Sequence, residues 1–245
     1  MKRVLLCLLL CWASSAFAQN AGIVSGSQLS VERERNQRSV FTIEAGADVI
    51  WINPSEDLYN YTNGISRKTG VGFHLRGLYK LRLSDNLPLY AHTGLGLAYH
   101  RDGGVTVNPG DDMETMASLC YRLLYLQIPL GIEYRFSLGK QFALMPYLGF
   151  NFNVGLYGQQ NFKFKNGSIG HGYDQFSDGG DLRRFRPDVT LGVNAEWGRF
   201  IVGTGVQIGL TNMLKQSLVD LYESGNAGSP KMTYTGWTIS VGYRF

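Results

Sequence analysis

The segment TYTGWTISVGYRF, Thr233 to Phe245, divides cleanly by parity: Thr235, Trp237, Ile239, Val241, Tyr243 and Phe245 fall on one side, and Tyr234, Gly236, Thr238, Ser240, Gly242 and Arg244 on the other. A period of two is the period of a strand. A strand with an apolar outer face, a small and polar inner face and a Tyr-x-Phe end has the pattern of the closing strand of a membrane β-barrel.

The same alternation recurs seven times upstream, at about 41–52, 71–83, 88–100, 124–136, 142–157, 188–197 and 200–211. In the first of these, Phe41, Ile43, Ala45, Ala47, Val49 and Trp51 oppose Thr42, Glu44, Gly46 and Asp48; in the fifth, Leu148, Phe150, Phe152, Val154 and Leu156 oppose Gly149, Asn151, Asn153 and Gly155. None of the eight apolar faces carries Asp, Glu, Lys or Arg, although charged residues make up 17% of the chain. A charge facing lipid at mid-bilayer costs roughly 2–4 kcal/mol. Lipid explains the exclusion better than a soluble sandwich does. Inward Thr190 and Gln207 are expected to accept arginine more readily than outward Leu191, Val206 or Ile239.

Connection lengths agree with this reading. Short turns (Ser84 to Asn86, Ser137 to Gln141, Gly198-Arg199) alternate with long polar connections at roughly 53–70, 101–121, 158–187 and 212–232. The expected fold is therefore all-β: an eight-stranded antiparallel up-and-down transmembrane barrel with short periplasmic turns and long extracellular loops. The mean hydropathy of −0.11 suits such a barrel, because only alternate residues meet lipid, and it excludes a bundle of membrane helices. A net charge of +4 gives no reason to invoke nucleic acid.

At the other end, Lys2 and Arg3 precede an apolar run from Val4 to Trp12 and an Ala16-Phe17-Ala18 cleavage pattern. Residues 1–18 read as a secretory signal peptide, 19–38 as a periplasmic lead-in and 39–245 as the barrel domain. Removing Cys7 and Cys11 with the signal leaves Cys120, too little for a disulfide framework or a cysteine-based metal site.

The segments Tyr125 to Leu130 (YLQIPL), Pro146 to Gly149 (PYLG), Gly205 to Asn212 (GVQIGLTN) and Ser240 to Phe245 (SVGYRF) resemble the PorT-like family of outer-membrane β-barrel proteins common in the Bacteroidota. The resemblance runs from about Ser39 to Phe245. It implies an eight-stranded barrel in the Gram-negative outer membrane, and a link to protein secretion through the family's namesake; it supplies no catalytic residues. By resemblance to other outer-membrane barrels, Tyr243 and Phe245 form the signal read by the barrel assembly machinery. The remaining partners expected are outer-membrane lipid and an envelope or secretion protein.

The inner faces carry Glu44, Asp48, Glu133, Asp188 and Glu196 with Arg76, Lys80, Arg82, Arg135 and Arg244. The interior of an eight-stranded barrel is just wide enough for side chains to fill, so these groups are expected to form a neutral, non-conducting plug. His74, His92 and His100 also point inward, but two neighbouring strands do not ordinarily converge three imidazoles on one metal. Pro129 and Pro146 lie within strands and predict bulges. Asp111, Asp112 and Glu114, or Asp174, Asp178 and Asp181, could hold calcium without matching an EF-hand spacing.

The longest loop holds His171 near Ser168, Asp174 and Ser177, with no Gly-x-Ser-x-Gly motif. It also holds Phe162, Phe164, Tyr173 and Phe176, aromatics suited either to recognition or to packing over the barrel mouth. The function expected is a non-enzymatic structural, surface-binding or envelope-assembly and secretion-accessory role, with no cofactor and no resident metal. The alternatives are a rim-active enzyme acting on lipid or peptide, and a small-solute transporter.

Overall fold

The computed structural model describes residues 38–55, 62–109, 116–139, 141–164, 167–225 and 228–245. The signal peptide and nearly all of the lead-in, and the acidic set Asp111, Asp112 and Glu114, lie outside the described residues.

The strands in chain order are β1 (Ser39–Pro54), β2 (Thr62–Arg67), β3 (Gly70–Arg82), β4 (Leu89–Arg101), β5 (Val105–Pro109), β6 (Met116–Tyr134), β7 (Phe136–Ser137), β8 (Phe142–Phe164), β9 (Ile169–Asp174), β10 (Phe185–Trp197), β11 (Phe200–Gly209) and β12 (Met232–Arg244), with one helix, α1 (Gln216–Ser224), before the last strand. Eight of them close a ring in the order β1, β3, β4, β6, β8, β10, β11, β12. Every pairing around it is antiparallel. The seam between β1 and β12 runs unbroken from Thr42↔Arg244 to Pro54↔Met232. Closure gives every wall strand a hydrogen-bonded neighbour on both sides, leaving no open sheet edge in the ring, which is what hydrocarbon demands of a spanning structure.

The eight strands and their two faces are those expected from the alternation. Outward side chains such as Phe73 at 62% exposure and Val241 at 60% stand free of protein, whereas inward Thr42, Asn151 and Asp188 are fully buried. Leu191→Arg, Val206→Arg and Ile239→Arg are each expected to destabilise the inserted barrel by roughly 2–4 kcal/mol, read as a fall in the folded, heat-modifiable fraction in lipid. Glu223→Arg, on the exposed face of α1, should change nothing. Thr190 and Gln207 are buried and line the lumen cavity, so arginine at either would meet polar lumen side chains rather than lipid, at the cost of crowding them.

Three of the expected long loops contain strand. β6 begins at Met116 rather than near 124, β8 continues to Phe164, and β5 and β9 lie within the spans read as loops. Together β2, β5, β6, β8 and β9 form a sheet that continues the wall past the membrane. The reason these strands escaped detection is an inversion of polarity. Above the bilayer Leu119, Tyr121, Leu123 and Tyr125 point inward and are buried, while Arg122 on the opposite face is exposed. The register shift between Leu124 and Tyr125 falls at this change.

The bulges expected at Pro129 and Pro146 are absent: Pro129↔Asn151 and Pro146↔Val193 are in register. Instead, the β4–β6 ladder lapses between Thr93↔Leu130 and Gly96↔Gln127, opposite Pro129, and the β6–β8 ladder ends at Tyr147, beside Pro146. A missing N–H is accommodated where no ladder bond is needed.

The fourth long connection carries α1. Its buried residue Val219 joins Ile50, Ile52, Leu119, Tyr121, Leu123, Tyr125, Phe176, Leu182, Met213, Leu214, Met232 and Tyr234 in one apolar cluster at the long-loop end. The two segments that close over it are tied together. Lys215 N–H donates to Asp181 O at 2.8 Å, Arg183 Nε to Leu214 O at 2.7 Å, and the Lys215 ammonium to the carbonyl of Ser177. Leu182 and Leu214 form a bridge. The barrel is lidded by an ordered apolar cap.

Candidate functional site

The lumen is built from inward positions of all eight wall strands, and its charges sort by height. Near the short-turn end, Lys80 Nζ donates to Glu133 at 2.9 Å, and Glu196 accepts from both Arg135 and Arg244 at 2.7 Å. At mid-height Arg76 lies 4.0 Å from Glu44 and donates to His74 Nε2 at 2.9 Å. That bond makes Nε2 an acceptor, so the proton sits on Nδ1, which donates to the Asp48 carboxylate at 3.0 and 3.1 Å. His100 reaches the same carboxylate at 3.7 Å, while His92 lies apart, edge-on to Tyr147. The three inward histidines are therefore split, and among the described residues no group of three ligands is arranged for a metal.

Tyr147 occupies space left by Gly192 and Gly205, at either of which a Cβ would collide with the phenol. The cavity beside it, about 30 Å³, is lined by Glu44, Arg76, His92, Asn151 and Gln207 among others. It is polar and roomy enough for one water molecule.

The upper lumen is held by a residue that sequence reading missed. Arg186 is 2% exposed. Its Nε and Nη2 donate to Asp188 at 3.0 and 3.1 Å, its Nη1 to Tyr125 Oη at 3.3 Å, and its Cζ lies 3.7 Å from the ring centroid of Tyr234 and 4.6 Å from that of Tyr125. Asn153 adds a 2.8 Å bond to Asp188. A guanidinium so placed is forked onto a carboxylate and stacked between two aromatic faces, a role lysine does not fill. The signal was available: Arg186 and Asp188 share parity, two residues before the expected strand start.

Glu44, Asp48, Arg76, Lys80, Glu133, Arg135, Asp188, Glu196 and Arg244 all lie inside. Arg82, counted with them from its parity, turns instead to the Ser84 and Asp85 carbonyls at the short turn. Arg186 takes its place in the balance, leaving five acids with five bases.

The four loop aromatics separate. Phe176 is 2% exposed and lies edge-on to Tyr125 in the cap, and Phe162 is partly buried against the same cluster. Phe164 is half-buried, and Tyr173 is 82% exposed. The loop polar groups have structural partners. His171 Nδ1 bonds Asn161 Oδ1 at 2.6 Å, Asp174 Oδ1 accepts from the N–H groups of Gly158 and Phe176, and Ser177 Oγ donates to Asp174 O. This arrangement caps a turn and does not align a nucleophile with a base.

On the outer face of the wall, just above the apolar belt, the chain kinks between β4 and β5 at Asp102 to Gly104, where Gly104 takes φ +90°. A cleft of about 610 Å³ opens beside the kink. Asp102 is buried in its wall; its N–H donates to Tyr121 O, and its carboxylate accepts from the N–H groups of Gly103 and Gly104. Burial raises this carboxyl to about 6, with the two amide donors acting in opposition. The unfolded carboxyl ionises near 3.8, so folding favours the protonated form. This contribution is fully present below pH 3.8 and is lost as pH rises through about 6. Asp102→Asn is accordingly expected to stabilise the barrel at pH 8 by up to roughly 3 kcal/mol and hardly at all at pH 3.5, measured by urea unfolding in micelles. Equal gains at both pH values would contradict the assignment.

No helix among the described residues is long and apolar enough to cross a membrane, and the spanning elements are strands. No curated protein matches the chain. Among solved structures it is similar to a major outer membrane protein from Thermus thermophilus (16% identity over 84% of this chain and 99% of that one, TM-score 0.45). It is also similar to Neisserial surface protein A (12% identity, 84% and 97% covered, TM-score 0.42) and to Ail, the attachment invasion locus protein of Yersinia pestis (14% identity, 85% and 100% covered, TM-score 0.40). Residues 17–215 match the family described as outer membrane protein beta-barrel domain. With that match covering most of a chain already seen to close an eight-stranded ring, the protein belongs to the outer membrane protein beta-barrel domain family.

Proposed function

We propose that this protein is a non-enzymatic outer-membrane barrel with a sealed, non-conducting lumen, acting through its extracellular rim in surface binding or as an accessory to envelope assembly or secretion. The observation that carries the reading is the double seal: along the lumen five bases are paired with Glu44, Glu133, Asp188 and Glu196, while Asp48 is held by His74, and an apolar cap closes the outer end. What stays open to a partner is the sheet of β2, β5, β6, β8 and β9, with Ile169 and Tyr173 exposed on β9. The PorT-like resemblance supports a secretion or assembly partner within this range. Tyr243 and Phe245 serve as the assembly signal on this reading, and residues 1–18 as the export signal.

Two measurements test it. In planar bilayers the purified protein should give no stable conductance of porin size. Cross-linking in intact outer membranes should recover a stoichiometric envelope partner with the native chain and lose it with Ile169→Ser/Tyr173→Ser, whose barrel still shifts on boiling. Reproducible ion-selective openings would favour the transporter, and release of fatty acid or peptide by the pure protein would favour the enzyme.

A further inference from the structure

The outer wall of the barrel changes character within one side-chain spacing. On β4 and β6 the outward positions Tyr99 and Leu124 belong to the apolar belt, and the next outward positions are Arg101 and Arg122. These two arginines are cross-strand partners, an arrangement of like charges that is destabilising unless something anionic lies between or beside them. Among the described residues neither forms an ion pair with a carboxylate. Both line the cleft of about 610 Å³ beside the kink, together with Lys68 and Lys163. The carboxylate in its wall, Asp102, is turned to backbone amides.

A second, independent feature points to a ligand. Asn161, paired in register with Cys120 on the same outer face, is 6% exposed and lines the cleft, yet its Nδ2 has no hydrogen-bond partner. A buried donor left unmade is costly. Four cations and an unused amide donor make an acceptor-seeking pocket, and its height places it where the apolar belt ends on the long-loop side of the barrel. At that level of an outer membrane the neighbouring molecules are outer-leaflet glycolipids, whose headgroups carry phosphate.

We propose that this cleft docks the phosphorylated headgroup of an outer-leaflet glycolipid, with Arg101, Arg122 and Lys163 on phosphate oxygens and Asn161 Nδ2 donating to the headgroup. Arginine forks suit phosphate, and lipid headgroups are commonly held by such basic pockets.

The test uses the full-length barrel in neutral detergent, titrated with a bis-phosphorylated diglucosamine lipid and followed by native mass spectrometry. A one-to-one complex is expected, with the enzymatically dephosphorylated lipid at least about tenfold weaker. Arg101→Gln/Arg122→Gln should weaken binding of the phosphorylated lipid about tenfold or more while keeping the mobility shift on boiling. Lys163→Gln and Asn161→Ala should each weaken it several-fold, and they serve if the double variant does not fold. Equal binding of the two lipids, or unchanged affinity in these variants, would overturn the proposal. So would full occupancy by inorganic phosphate at concentrations that leave the lipid unbound, because the site would then serve a soluble anion.

Discussion

Arg186→Met is expected to lower the stability of the folded barrel by about 3–5 kcal/mol, the largest effect of any single substitution inside the lumen. The change removes the forked partner of Asp188 and leaves that fully buried carboxylate with Asn153 as its remaining donor. It also withdraws the cation from between the rings of Tyr125 and Tyr234. Adding Asp188→Asn should restore much of the loss, since the double variant no longer buries an unpaired charge. Arg186→Lys should fall between, keeping the charge but not the fork. Urea unfolding in micelles followed by tryptophan fluorescence measures all three. A single variant as stable as the native chain, or a double variant no better than the single, would mean that the pair does not hold the upper lumen.

Deleting Tyr243 to Phe245 is expected to abolish assembly rather than to weaken it. The deletion removes the pairings Thr42↔Arg244 and Ile43↔Tyr243 from the seam, the bond from Phe245 N–H to Phe41 O, and the Arg244 cation that shares Glu196 with Arg135. It opens the ring at its closing edge in a medium that offers the freed backbone no replacement. If Tyr243 and Phe245 are also the residues that the assembly machinery reads, the truncated chain should accumulate in the periplasm without a heat-modifiable form. Tyr173→Ser, at an exposed position far from the seam, should insert normally. Normal fractionation of the truncated chain would contradict the closure described here.

The wall was legible because lipid enforces a simple rule. Each outward residue must be apolar, so parity alone placed Glu44, Asp48, Lys80, Glu133 and Glu196 inside. The pairing of those charges was legible only as a balance; that Glu196 holds two cations, or that Asp48 gathers two histidines, depends on strand stagger, which parity does not report. Arg186 was missed because Arg183, Arg184, Arg186 and Pro187 together look like loop, although its parity with Asp188 continues the strand. The upper parts of β6 and β8 were missed for a different reason. Beyond the lipid the outer face no longer has to be greasy, and the inner face packs against a cap made from distant segments, so local alternation loses its meaning. Phe176 and Tyr173 are both aromatics in one loop, and their opposite fates follow from contacts with Tyr125 that no local pattern encodes.

The inversion of polarity across Tyr99–Arg101 and Leu124–Arg122 also acts as a ruler. Below it the exterior is apolar and the interior polar; above it the exterior turns polar and the interior is an apolar protein cluster. Moving the molecule down by one row would put Arg101 and Arg122 into acyl chains at a cost that grows with depth, and moving it up would lift Leu124 out of the hydrocarbon, while Tyr99 is at home at the interface. The two arginines thus limit how far the barrel can sink on that side. In a bilayer too thick or too thin for the belt, the lipid around β4 and β6 must deform before the protein shifts.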